Sequence, residues 1–278
     1  MTSRAAEGLL VGAMWSYSQT VLAPAQALKR AGVAVVPPPE GDEPVDLPAP
    51  GLGPRFSAEH DRPVLLESAT EHDALVEEFD RMGEVYEAFV RPFSTPIFDE
   101  AVAVMRQWLS PDARLLDAGC GAGRELRRMA GLVPDGEVVG IDLAAGMVTA
   151  AHRATRARGL DHCAFFQSDV GDLPDRFTGA FDLVYSSLAH HHYPDPPAAT
   201  SELLRCLRPG GVYCVVDPGP AWFNALGAPL AKRSDPGWIS FHSPAEFRRL
   251  FATAGFARTS WRELLPGFGL AVGQKALS

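Results

Sequence analysis

Long basic runs are missing from this 278-residue chain, in which Lys and Arg number 25 against 34 Asp and Glu, for a net charge of −9. A field of that sign repels phosphate backbones, so nucleic acid is not an expected partner. Cysteine is scarce as well. Cys120, Cys163, Cys206 and Cys214 are scattered, with no C-x-x-C pair to suggest zinc and no dense framework to suggest secretion. They read as small buried hydrophobes in a reducing, cytoplasmic compartment. No run of about 18 apolar residues occurs, which excludes a transmembrane helix. A secretory leader is poorly supported too: the apolar segment from Gly8 to Trp15 is short, and Ser16, Tyr17, Ser18 and Gln19 follow where an h-region would continue.

What is present divides the chain unevenly. Leu10, Met14, Tyr17 and Val21 recur at helical spacing up to Pro24. From Pro37-Pro38-Pro39 to Pro54, prolines recur among Gly41, Asp42, Glu43 and Asp46, a composition that favours extended structure and buries no core. Residues 1–66 are therefore expected to be a helix plus a Pro-rich arm. Trp15 and Tyr17 call for a partner surface: the main domain, a second copy in a homodimer formed through the arm, or substrate. Residues 67–278 are the expected main domain. Within it, 67–110 hold two helices, Asp73 to Phe89 with one apolar face and Ile97 to Leu109, and 111–278 hold the core.

The core turns on Leu115-Leu116-Asp117-Ala118-Gly119-Cys120-Gly121-Ala122-Gly123, an apolar run ending in an acid and then glycine at every second position before a helical pattern at Arg124. Glycines in such a turn allow dihedrals closed to other residues and let a ligand lie on bare main chain. A dinucleotide loop would be G-x-G-x-x-G, but Arg124 stands where its third glycine belongs, which disfavours a nicotinamide oxidoreductase. The order D-x-G-x-G-x-G resembles the first motif of the class I S-adenosylmethionine (SAM) methyltransferases. The resemblance covers about residues 75 to 274, closest to quinone-biosynthesis and natural-product enzymes of that superfamily. It implies an α/β fold: a Rossmann-like seven-stranded doubly wound sheet, mostly parallel with an antiparallel last strand, plus the N-terminal helical extension.

Several site residues follow from that resemblance. SAM would lie on Asp117, Gly119, Cys120, Gly121 and Gly123. Asp142, at the end of the strand Glu137 to Asp142 and some 20 residues past the turn, would accept the ribose hydroxyls, with Leu143 and Met147 beside it. Asp142 as a cap for the helix starting near Ala144 is the competing reading, and both can hold. After the strand Cys163 to Gln167, Ser168, Asp169 and Val170 would meet the adenine. Ser186, in the strand Phe181 to Ser187, and Tyr86 in the cap helix complete the set, although Tyr86 at helical spacing also reads as core.

Three histidines, His190, His191 and His192, follow the fourth strand beside the expected methyl donor. One, His191 first, suits a general base; two would bind a metal with help from Asp217 or His242; or all three are scaffold. Asp195 before Pro196 and Pro197, and Ser243 before Pro244, read as helix N-caps. Arg208-Pro209-Gly210-Gly211 reads as a turn before the fifth strand, and Phe256 to Glu263 with Phe268 to Gln274 as an edge hairpin. Trp222, Phe223, Trp238, Tyr185 and Trp261 suggest a hydrophobic or aromatic small-molecule acceptor. The expected function is thus SAM-dependent methyl transfer to a small molecule of secondary or quinone-like metabolism. A SAM-binding protein of the same fold without methyl transfer is the alternative.

Overall fold

The computed structural model describes Phe56 and residues 94–219, 228–229 and 238–278. The expected N-terminal helix and most of the Pro-rich arm, the helix over Asp73 to Phe89 with Tyr86, and Trp222, Phe223 and Asn224 lie outside the described residues.

Seven strands form one sheet: β1 (Arg114–Ala118), β2 (Glu137–Asp142), β3 (Cys163–Gln167), β4 (Phe181–Ser187), β5 (Leu207–Pro218), β6 (Arg258–Leu265) and β7 (Phe268–Gln274). Their order is β3-β2-β1-β4-β5-β7-β6. The first five pair in parallel, while β7 runs antiparallel to both β5 and β6. Chain order reverses between β1 and β4, and such a switch point opens a crevice at the carboxyl ends of the strands.

Alternate residues of each inner strand feed two cores. Leu115, Val138, Leu183 and Tyr185 pack on one face with Phe98, Met105, Leu126 and Val148. Leu116, Val139, Val184 and Val215 pack on the other with Leu203, Phe247 and Phe251. The first face is covered by α1 (94–105), α2 (Arg124–Ala130) and α3 (Ala145–Arg156); the second by α4 (Pro196–Cys206) and α5 (Pro244–Ala254). Burial on both sides explains why the strands read as unbroken apolar runs. Phe56, placed in the arm by sequence, is built into the second core against Phe166, Phe177 and Phe181.

Local chemistry sets the element ends. The Asp195 carboxylate accepts from the Ala198 N–H at 2.9 Å at the start of α4. Ser243 and Glu246 form a reciprocal capping box on α5, and left-handed Gly255 ends that helix. The helix α3 starts at Ala145, beside the start near Ala144 expected where Asp142 caps it, and Asp142 Oδ1 takes the Ala144 N–H at 3.0 Å. One boundary differs from expectation: β6 starts at Arg258, since the Phe256 N–H is still bonded back to the Phe251 carbonyl.

Candidate active site

The glycine loop, Asp142, the Ser168–Val170 segment and the three histidines all follow the carboxyl ends of parallel strands. After β1 the chain leaves through Gly119 (φ 78), Gly121 (φ 50) and Gly123 (φ 72), all left-handed. The Gly119 and Cys120 N–H groups both donate to the Ile141 carbonyl at 2.9 Å, which ties the loop to β2. The Gly121 N–H donates to Asp142 Oδ2 at 2.8 Å. Buried Arg127 clamps the Ala122 carbonyl at 2.6 Å, and Arg124 reaches Ser94, Thr95 and Glu125, fastening the start of α1 beside the loop. These arginines were not foreseen as supports, because neither spacing nor composition marks a structural cation.

The three glycines are not equivalent. A side-chain carbon at Gly119 would stand 2.6 Å from Ala189 Cβ, and one at Gly123 would stand 2.8 Å from Ala151 Cβ; one at Gly121 would meet nothing within 4 Å. Packing explains the first two. At Gly121 the bare main chain faces open space, as a loop that receives a ligand should.

Acid surrounds that space. Asp142 is half-buried and bonded to both Gly121 and Ala144, so it serves the loop and the helix start together. Carboxylate oxygens accept more than one hydrogen bond, which keeps this arrangement compatible with ribose hydroxyls donating as well. Asp117 sits deeper, on the α1 side of β1 and in register with Tyr185 of β4. Its carboxyl is 2% exposed, Oδ2 lacks a hydrogen-bond partner, and burial pushes its pKa well up, against a lowering interaction with the Tyr185 hydroxyl. Glu125 and Asp142 push it further in the same direction. A cationic ligand group would relieve that repulsion.

Farther along the edge, Ser168 is buried and Asp169 and Val170 are half-buried after β3, with the Gly171 N–H bonded to Asp169 Oδ1 at 2.8 Å. Leu143 is half-buried, whereas Met147 is 1% exposed and packs with Ala122 and Ala144 beneath the loop. Ser186 is fully buried under the crevice: the Tyr193 hydroxyl reaches both Ser186 Oγ at 3.0 Å and the Ala118 carbonyl at 2.9 Å, joining the ends of β1 and β4. Tyr193 is a supporting residue the sequence did not disclose; it sits on no periodic pattern.

The histidines separate sharply. His190 is fully buried, packed on Tyr193, His242 and Phe247, and neither ring nitrogen has a hydrogen-bond partner. It is a core residue, and as a catalytic candidate it is corrected here: no acceptor reaches a ring enclosed on all sides. His191 is bonded through Nδ1 to Asp217 Oδ1 at 2.6 Å, and its side chain keeps 12% of its surface exposed. His192 stacks beside it, with ring centroids 4.1 Å apart. Just before them Leu188 has φ 54, which stands alone among the described non-glycine residues as a left-handed conformation. Such strain persists where the surroundings impose it, and it gathers at functional sites. The described residues hold no cluster of three or more metal-ligating side chains.

Of the aromatic residues expected to line an acceptor pocket, Tyr185 is fully buried and therefore excluded from one. Trp261 stacks on Phe247 and covers Gly219 and Gly269, where any side chain would collide with the indole within about 2 Å. Trp238 packs on Phe241, whose ring in turn packs on His191. All four cysteines are buried and unpaired, and burial pushes Cys163 and Cys206 up to about 12.

Residues 109–242 match a family model described as a methyltransferase domain. Over that stretch the chain resembles the class I SAM-dependent methyltransferases. Among its relatives in that superfamily are malonyl-[acyl-carrier protein] O-methyltransferase of Dechloromonas aromatica, 34% identical over 59% of this chain and 63% of that protein. Nocamycin O-methyltransferase of Saccharothrix syringae is 36% identical over 51% of this chain and 50% of that protein. The chain thus spans less than two thirds of the length of either. Demethylmenaquinone methyltransferase of Symbiobacterium thermophilum is 26% identical over 68% of this chain and 87% of its own. The fold recurs in a DhpI–SAH complex, at TM-score 0.59 and 24% identity over 75% of this chain and all (100%) of that one.

Proposed function

We propose that this methyltransferase carries a methyl group from SAM to a small, hydrophobic or aromatic acceptor by in-line displacement. The observation that carries the reading is the open space over Gly121, walled by acidic side chains at the switch point of the sheet. Relatives named for nocamycin and demethylmenaquinone support a small-molecule acceptor.

The residues suit the group. The glycine loop would lie along its amino-acid and ribose portions, Asp142 would accept ribose hydroxyls, and Asp169 and Val170 would meet the adenine edge. When bound, the cofactor supplies a methyl carbon already activated by a positive sulfur. What the chain must add is alignment and the exclusion of water, which can lower the barrier by on the order of several kcal/mol. Arg124 and Arg127 contribute by holding the loop rigid. Asp142 beside the loop favours a sulfonium, and a cation there would draw the buried Asp117 toward its charged form. A cytoplasmic setting and a division into an arm of residues 1–66 and a catalytic unit of 67–278 belong to the same reading, as does a homodimer built through the arm.

Titration calorimetry with S-adenosylhomocysteine tests the cofactor assignment, and transfer of label from methyl-labelled SAM to small molecules of the host cell tests the reaction. Binding together with a labelled small product is expected. Binding without transfer to any small molecule would favour the non-transferring alternative, and absence of binding would overturn both.

A further inference from the structure

The ladder between β1 and β4 stops at Asp117 and Tyr185. One residue further on, at Ala118 and Ser186, a side chain joins the two strands: the Tyr193 hydroxyl lies 2.9 Å from the Ala118 carbonyl and 3.0 Å from Ser186 Oγ. A carbonyl only accepts, so the phenolic proton goes to Ala118, and Ser186 Oγ–H donates back to Tyr193 Oη. All three residues are buried. Burial also pushes the Tyr193 phenol well up, which keeps it a donor. A phenylalanine would fill the same space and pack on His190 as well, so packing accounts for the ring and not for the hydroxyl.

What this bridge joins gives it meaning. Gly119, the first residue of the glycine loop, follows Ala118 directly and leans on the same turn: an added side-chain carbon would stand 2.6 Å from Ala189 Cβ and 3.9 Å from Tyr193 Oη. On the other side Tyr193 closes the turn 188–193. Its N–H donates to the His190 carbonyl at 3.0 Å, and the turn starts from left-handed Leu188, whose N–H donates to the Val216 carbonyl at 2.8 Å. One hydroxyl therefore pins the loop on the donor side of the crevice to the turn that follows β4, at the switch point where the sheet opens.

Resting on the methyl-transfer reading above, we propose that Tyr193 is a positioning residue whose hydroxyl, through Ala118, sets the spacing between the cofactor loop and the turn after β4, and with it the alignment of methyl donor and acceptor. Buried behind Gly119, it acts through these two segments and not on the reacting atoms. Displacement at carbon depends steeply on alignment, and a misplacement of about 1 Å costs about a hundredfold in rate. The loop's own fold rests on separate bonds to Ile141 and Asp142, so cofactor binding is largely independent of the bridge. Ser186 is the lesser member, since the bond to Ala118 survives without it.

Hydrogen exchange of the full chain without ligand tests the bridge. In Tyr193→Phe the Gly119 and Leu188 N–H groups are expected to exchange about tenfold faster, with Val139 in the middle of β2 unchanged. No change at the first two would overturn the proposal, and so would an equal rise at Val139, which would show only a general loss of stability. Transfer of label from methyl-labelled SAM to a small-molecule extract of the host cell tests the consequence. At saturating SAM, Tyr193→Phe should lower turnover about 10–100-fold, while the KM for SAM and the affinity for S-adenosylhomocysteine stay within about threefold. Ser186→Ala should lose less than about threefold in turnover. A loss confined to KM and affinity, or equal losses of turnover in the two variants, would sink the assignment. Absence of both S-adenosylhomocysteine binding and transfer in the wild type would overturn the parent reading and the alignment role together, whereas the exchange result depends on neither, which separates the two failures.

Discussion

Gly119 and Gly121 differ by what surrounds them, and that difference gives a test at the scale of one methyl group. Gly119→Ala must push Ala189 away as well as strain a left-handed backbone, so it is expected to cost about 2–3 kcal/mol of stability. Gly121→Ala meets no protein atom and should cost only the backbone strain, about 1–2 kcal/mol, while weakening S-adenosylhomocysteine binding by more than tenfold. Urea unfolding and calorimetry on both variants check this; equal affinity loss with equal destabilisation would mean that the space over Gly121 is not where the ligand lies. His190 supplies a pH test. Burial holds its pKa well below the ordinary imidazole value, so between that depressed value and ~6.5 the unfolded chain binds a proton that the folded chain refuses. Stability is then full above about pH 6.5 and falls as the pH drops through that window. His190→Leu removes this and two unpartnered nitrogens, and should stabilise by about 1–3 kcal/mol at pH 8 and by more at pH 5.5; a variant less stable at both would refute the account. At this scale the sequence revealed the glycines and Asp142, whose roles follow from spacing along one stretch. It could not separate His190 from His191, because consecutive residues share every sequence property and differ only in which way the turn after Leu188 points them.

Elements were legible wherever local chemistry sets their ends. The strand Cys163–Gln167 and the helix Pro244–Ala254 have the expected bounds, the first as an apolar run buried on both faces and the second between a Ser-Pro start and a Gly stop. The start of α3 was legible too, as a helix capped by Asp142 from the preceding strand end, whereas the start of β6 was not, because the Phe256 N–H turns back to the Phe251 carbonyl. Nor was the fate of Trp261, which depends on Gly269 in β7 and Gly219 just past β5 lying beneath it. The capping box of α5 carries more than helix stability, because His242 immediately precedes Ser243 and packs against His190. Ser243→Ala is expected to cost about 1 kcal/mol in urea unfolding. It should also loosen the His242 side of the histidine cluster, read as broadened His190 and His242 ring signals in NMR. Unchanged stability would show that Glu246 alone holds the helix start.

For the whole molecule, the informative residue is Phe56. Sequence composition assigns it to a Pro-rich arm with no core of its own, yet its ring lies 5.0 Å from Phe177 and stacks at 5.7 Å on Phe181, with the Arg176 guanidinium above it. Phe181 opens β4, and the residues after that strand carry His191, so the anchor and the crevice lie at opposite ends of a seven-residue strand, about 20 Å apart at the usual rise per residue. Composition could not reveal this contact, because an isolated aromatic between prolines has no periodicity to read; only the gap left by Phe166, Phe177 and Phe181 calls for it. Phe56→Ala should therefore cost about 3 kcal/mol, as truncation of a buried aromatic does, and should speed proteolysis of the chain preceding it. S-adenosylhomocysteine affinity should hold within about twofold, since the rings that Phe56 packs on, Phe166, Phe177 and Phe181, are not themselves expected ligand contacts. Thermal unfolding, timed digestion and calorimetry on the one variant decide the matter: a large loss of affinity with little loss of stability would mean that the arm reaches the active edge of the sheet, and that Phe56 acts on the ligand and not on the core.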